Sequence, residues 1–198
     1  MTAAARFARH ALGTRFEDLS PAAVHAAKVF ILDSLGVGIA GSSVPGAERL
    51  LAVASGWGNR QEAQVWGRQA RVSAPAAAFL NGWQMHNQEF DCLHEAAVVH
   101  ALASVLPAAL AAAEQCGGID GPALIAAVAV GADIAAGLGL ATQAGFRFFR
   151  PATAGGFGAV AAAGRILGLD QAALEAAFAW QLAQVSGSKS SPSGSRPI

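Results

Sequence analysis

The stretch DGPALIAAVAVGADIAAGLGLAT, residues 120–142, decides the fold class. Asp120 is a natural helix N-cap, and the run behind it carries a single charge, Asp133, among small and aliphatic side chains. It is long enough to cross a bilayer, but Ala contributes little to insertion, and spanning helices depend on Leu, Ile, Phe and Val. Gly131, Gly137 and Gly139 remove side chain altogether, which suits a helix that its neighbours approach backbone to backbone. The segment therefore reads as a buried helix of a soluble bundle. The apolar run Ala96–Ala113, mostly small residues and holding His100 and Pro107, reads the same way.

Working outward, helix follows helix. Ser20-Pro21 is a cap followed by the proline that first turns favour, and Val24, Ala27, Ile31 and Leu35 continue at helical spacing to Gly41 or Ser42. Pro45–Ala54 predicts a short helix stopped by Gly56-Trp57-Gly58. Gln64–Trp66 is the one strand-like fragment. Ser73 is expected to cap a helix carrying Ala77, Leu80, Gln84 and His86. Further helices are predicted over Ala101–Gln115, Asp120–Thr142, Thr153–Leu167 and Asp170–Val185, with Gly117-Gly118 and Gly168 as C-terminal stops. The fold class is all-α, a compact bundle of packed Ala- and Gly-rich helices. Ser186–Ile198 is rich in Ser, Gly and Pro with no apolar periodicity. The expected organisation is a helical domain over residues 1–187 and a disordered tail over 188–198.

Composition narrows the function. The 198 residues are 54% hydrophobic and 13% charged, with 13 basic against 13 acidic side chains. That balance gives no electrostatic footprint for nucleic acid or anionic lipid, and the apolar excess argues against disorder. Cys92 and Cys116 make no disulfide framework, which fits a reducing cytoplasm. Arg6, Arg9 and His10 are not followed by an apolar core of signal-peptide length, so secretion is not expected. A neutral, apolar chain also points to surface hidden against another subunit.

Reactive side chains concentrate between Asn81 and His100, where His86, Glu89, Asp91, Cys92, His94, Glu95 and His100 fall close together. An imidazole beside a carboxylate titrates near neutrality, as proton abstraction and return require. The same residues would also serve as helix caps and partners in a polar turn. His86 and Glu89 have i, i+3 spacing, and His94, His100, Asp91 or Cys92 would complete a metal site, but neither H-E-x-x-H nor paired C-x-x-C spacing is present. Gly156-Phe157-Gly158-Ala159-Val160-Ala161 matches G-x-G-x-x-A without a preceding strand, so glycines for helix packing are the better account. Arg147 and Arg150, beside the helix start at Thr153, are candidates for holding a carboxylate; ordinary surface arginines are the alternative. Cys92 reads as a small packed residue more readily than as a nucleophile.

Three groups of residues resemble the MmgE/PrpD family in the order that family uses. Asn81-Gly82 with His86, then Glu89-Phe90-Asp91, then His100 ahead of Leu106-Pro107-Ala108-Ala109-Leu110-Ala111, is similar to its N-G-x-x-x-H…D-F-D-D…H-P-G…P-A-L-L-A pattern. Arg150-Pro151-Ala152-Thr153-Ala154-Gly155-Gly156-Phe157-Gly158-Ala159, followed by Arg165-Ile166-Leu167-Gly168-Leu169, resembles G-F-H-P-T…G-x-F-G-A-A…A-x-L-L-G-L. Asp33-Ser34-Leu35-Gly36 fits the family's amino-terminal helix, and the resemblance covers roughly residues 5 to 187. The chain departs from the pattern at Glu89 and Cys92 in D-F-D-D, at Ala101-Leu102 after the histidine, and at Arg150 in place of the histidine of G-F-H-P-T.

The resemblance implies the large helical domain of a family that includes 2-methylcitrate dehydratase, cis-aconitate decarboxylase and an iminodisuccinate epimerase. In these enzymes an α+β lid follows and the active site lies between the two parts. The tail does not match the family's active-site lysine segment, so Lys189 is not given that role, and a truncated chain is expected. The implied function is a cofactor-independent, metal-free lyase step on a small polycarboxylate, carried out by a homodimer without nucleic acid or membrane. His100 and Asp91 are the candidates for proton transfer with His94 nearby. Arg147 and Arg150 are candidates for substrate carboxylates, and His86 for orienting or binding. The alternatives are a catalytically incomplete remnant lacking the lid and a metal-dependent hydrolase built on the His86–His100 cluster.

Overall fold

A computed structural model describes residues 1–143 and 150–185. Arg147 and the expected tail lie outside the described residues. Eight α-helices are seen among the described residues: α1 (Ala3–Gly13), α2 (Pro21–Gly41), α3 (Ala47–Ser55), α4 (Ala74–His86), α5 (Ala101–Gln115), α6 (Gly121–Ala141), α7 (Arg150–Ile166) and α8 (Gln171–Gln184). A two-residue antiparallel ladder, β1 (Ala63–Gln64) with β2 (Arg71–Val72), pairs Ala63 with Val72. The all-α architecture read from the sequence is the one observed.

Local chemistry explains most boundaries. Ser20 accepts from the Ala23 N–H, Asp120 from Ala123 and Asp170 from Ala173, each closing the first turn of its helix. Gly117, Gly118 and Gly168 take positive φ where α5 and α7 stop. Ser73 does occupy the N-cap position of α4, but its side chain makes no cap bond. The carboxylate of Glu62, brought in by the ladder, accepts from the Ala74 N–H at 3.1 Å instead. The fragment expected at Gln64–Trp66 is a strand one residue earlier, and its partner at Arg71–Val72 was not expected. Helix α1 was not expected either. Its fully buried residues are Ala5, Ala8 and Ala11, with Phe7 and Leu12 partly buried beside them and Arg6, Arg9 and His10 left at the surface.

Helix α5 is the centre, packed by α4, α6 and α7 and also touched by α2. Val105, Leu106 and Ala109 are fully buried there with Met85 from α4 and Val128 from α6. A second cluster joins α3, the ladder and α4, and a third gathers α1, α6, α7 and α8 around Leu174 and Phe178. Pairs of helices meet backbone to backbone: the end of α2 at Gly41 lies against the Gln84 carbonyl of α4, and α6 lies against α7. A Cβ on Gly158 would stand 2.3 Å from the Gly131 carbonyl, and one on Gly131 would stand 2.7 Å from the Gly158 carbonyl. The G-x-G-x-x-A match thus lies inside a helix, and its second glycine serves helix packing. Pro107 sits inside α5 and has no N–H to give the Ala103 carbonyl. Helix α4 comes up to that carbonyl at Gly82, where an added Cβ would lie 2.9 Å from the oxygen.

Helices α2 and α6 are both long and apolar enough to cross a membrane by length and composition. Half of the most apolar window of α6 is buried in the bundle, whereas α2 leaves Phe30, Leu32 and Ile39 exposed.

Candidate active site

The segment between α4 and α5 carries the polar cluster. It leaves α4 at Asn87, turns through Glu89 and returns to α5 at His100. Glu89 and Val98 both sit at positive φ, 57° and 50°, conformations that are costly for side chains other than glycine. Two anchors hold the segment. The Asn87 amide donates to the Gly41 carbonyl at 3.0 Å, and the Arg150 guanidinium donates to the Ala97 carbonyl at 2.6 Å. His94 and Val99 form a bridge that closes the return.

This path buries one carboxylate between two imidazoles. The Asp91 side chain has no solvent exposure. His86 Nδ1 lies 3.1 Å from both of its oxygens, and His100 Nδ1 lies 3.2 Å from Oδ2 and 3.3 Å from the Asp91 backbone carbonyl. The rings meet edge to face with centroids 4.9 Å apart. Carboxylates and backbone carbonyls accept, so both Nδ1 atoms donate, and each Nε2 is left as the acceptor when its ring is neutral. The hydrogen bond to Asp91 raises the His86 pKa above its ordinary value; burial opposes the rise, and the charges of Asp91 and Glu89 add to it. A buried carboxylate is costly without partners, and two imidazole N–H groups supply them.

His86 and Glu89 line a cleft of about 630 Å³ walled by Phe79, Gly82 and Trp83 of α4, Ala103 and Ser104 of α5, and Ala152 of α7. His86 Nε2 faces Glu89 Oε1 at 3.7 Å. Among the described residues, the side chains grouped closely enough to hold a metal are His86, Glu89 and His100, which offer one ligand atom each within 4.8 Å of one another.

The other candidates are placed differently. His94 is exposed, and its Nδ1 accepts from the Ala97 N–H at 3.1 Å, so it caps a turn. Arg150 is the first residue of α7, half-buried, and its guanidinium fastens the segment three residues before His100. Cys92 is half-buried against the central core, and burial is the main reason its thiol pKa is pushed up, which disfavours a thiolate nucleophile. Trp83 and Ser104 as cleft-lining residues were not anticipated, whereas Glu89 was among the reactive side chains expected in this stretch. For Glu89 the i, i+3 spacing to His86 was the available signal.

A helical bundle with a carboxylate–bis-imidazole group at the edge of a cleft is the class of domain defined so far, and sequence comparison places it. The family model for the MmgE/PrpD N-terminal domain matches residues 5–195, and the chain belongs to that family. A mouse (Mus musculus) protein named cis-aconitate decarboxylase is 31% identical over 165 residues, which is 79% of this chain and 34% of the mouse protein. The human (Homo sapiens) cis-aconitate decarboxylase is 28% identical over 183 residues, 87% of this chain and 37% of its own length. A cis-aconitate decarboxylase-like protein of Aspergillus oryzae is 34% identical over 97 residues, 49% of this chain and 20% of that protein. The chain spans about a third or less of the length of these curated relatives.

Proposed function

We propose that this chain carries the proton-transfer half of a lyase acting on a small polycarboxylate, the substrate class of its named relatives. The observation that supports this best is Asp91, fully enclosed and shared by the Nδ1 atoms of His86 and His100. Removing a proton next to a carboxylate needs a base, and it needs positive charge where the enolate-like intermediate accumulates. In this reading His100, held by Asp91 through Nδ1, uses Nε2 as the base and returns the proton afterwards. His86, whose pKa is raised by the same carboxylate, supplies positive charge on the wall of the cleft. Asp91, closed off from solvent, is a positioning residue that sets the tautomer of both rings. Arg150 keeps the segment in place, and His94 belongs to the turn rather than the reaction.

The test is turnover of cis-aconitate and of 2-methylcitrate, assayed in chelator with the 198-residue chain and with a chain extended over the length of its relatives. His100→Gln is expected to lower kcat by about 100-fold or more, the range of general acid–base catalysis, with a smaller change in KM. A His100→Gln enzyme with unchanged kcat on both substrates overturns the assignment.

A further inference from the structure

We propose that Glu89 is an internal stand-in for a substrate carboxylate: it holds the position beside His86 in the cleft that a carboxylate of the ligand takes by displacing it. The inference rests on the polycarboxylate substrate class proposed above and adds the residue with which such a ligand competes. Local backbone brings the pair together. The Glu89 N–H donates to the His86 carbonyl at 3.2 Å, and the turn closed in this way sets Glu89 at φ 57°. Its neighbours Gln88 and Phe90 line a different hollow beside α2, whereas Glu89 lines the cleft together with His86. The turn thus returns one carboxylate to the imidazole three residues before it.

The charge pattern gives the pair its meaning. Among the described residues that line the cleft, His86 is the one group able to carry positive charge and Glu89 is the one acid. Phe79 and Trp83 supply the largest part of the apolar wall around them. An anionic ligand is therefore drawn to His86 and repelled by Glu89. A protonated imidazole donates from both nitrogens, and Nδ1 of His86 is committed to Asp91. Glu89 Oε1 stands 3.7 Å from Nε2, close enough to attract by charge but too far for a hydrogen bond. The Glu89 side chain is 74% exposed, and exposed ion pairs gain little while they restrict a long side chain. Swinging it into solvent costs little. Asp91 differs, because it is fully enclosed and stays on Nδ1 whatever occupies the cleft. The ring of His86 thus has a permanent carboxylate on one side and an exchangeable one on the other.

The experiment is calorimetric titration of the metal-stripped 198-residue chain with tricarballylate. This tricarboxylate is saturated and has no hydroxyl to eliminate, so binding is read without turnover. Glu89→Gln keeps the shape and removes the charge, and it is expected to bind about 5-fold tighter than the parent, the upper range for one exposed charge pair. Glu95→Gln removes the same charge from an exposed position of the same segment outside the cleft lining, and it is expected to match the parent. In Glu89→Gln the bound ligand is expected to shift the Nε2 resonance of His86 in nitrogen NMR. Equal or weaker binding by Glu89→Gln overturns the proposal, and so does the same gain in Glu95→Gln. An unmoved His86 resonance or absence of binding in every form overturns it as well. The proton-transfer reading is judged separately by the kcat of His100→Gln, so each reading fails or stands on its own measurement.

Discussion

The contact between α6 and α7 and the segment from Asn87 to His100 are built from opposite materials. The first has almost no side chain. Gly131 and Gly158 set two backbones against each other, and Val105, Ala135 and Ala162 fill the space around them. The second is polar and strained, with two non-glycine residues in the left-handed region and a buried carboxylate satisfied by two imidazoles. The two are joined. The ends of α6 and α7 reach the segment at Ala97, which lies under Gly139 and accepts from Arg150. Strain at a functional segment persists only where its surroundings over-determine it, and here a stiff, closely packed frame does so.

Three perturbations probe this division. The largest is Gly158→Val, which forces a branched side chain against the Gly131 carbonyl; a loss of about 3 kcal/mol is expected in denaturant unfolding. A loss below about 1 kcal/mol would mean that the helices slide apart easily and that the contact is not the frame. Next is Asp91→Asn, expected to cost about 2 kcal/mol by weakening charge-assisted hydrogen bonds to both rings. In chelator the His86 titration followed by NMR should move down in this variant, because the carboxylate is the main cause of its raised pKa. An unmoved titration would detach His86 from Asp91.

The smallest is Glu62→Gln at the start of α4, away from both regions. The Glu62 pKa is lowered from 4.5, chiefly by the Ala74 N–H and also by Arg60, with burial opposing. A lowered carboxylate contributes stability above its unfolded pKa that is lost as pH falls through the folded value. The stability difference between parent and Glu62→Gln should therefore be present at neutral pH and shrink below about pH 4.5. A difference that is flat across that range would show that the cap carries no charge effect.

Most of the frame was legible in the chain. Ser20, Asp120 and Asp170 announce helix starts, and Gly117, Gly118 and Gly168 announce stops, because capping is satisfied by atoms within three or four residues. The abundance of Ala and Gly announced close helix approach. The failures share a cause. Ser73 looked like the cap of α4, but the carboxylate of Glu62, just ahead of β1, does the work, and no local pattern records a partner twelve residues away. Helix α1 fully buries only alanines, with Phe7 and Leu12 half-covered, and the partners of that face lie on α6, α7 and α8, far along the chain.

The site divides in the same way. Its residues lie in one polar stretch, and composition alone singled them out. Which of them turn inward was another matter. His94 is nearer to Asp91 in the chain than His86 is, yet His94 faces outward while His86 and His100 close on the carboxylate. That choice follows from the left-handed turns at Glu89 and Val98 and from the anchors at Gly41 and Arg150. Residue type and spacing carry the chemistry a chain has available. The direction in which each side chain points is set by a backbone path that contacts distant in sequence hold in place.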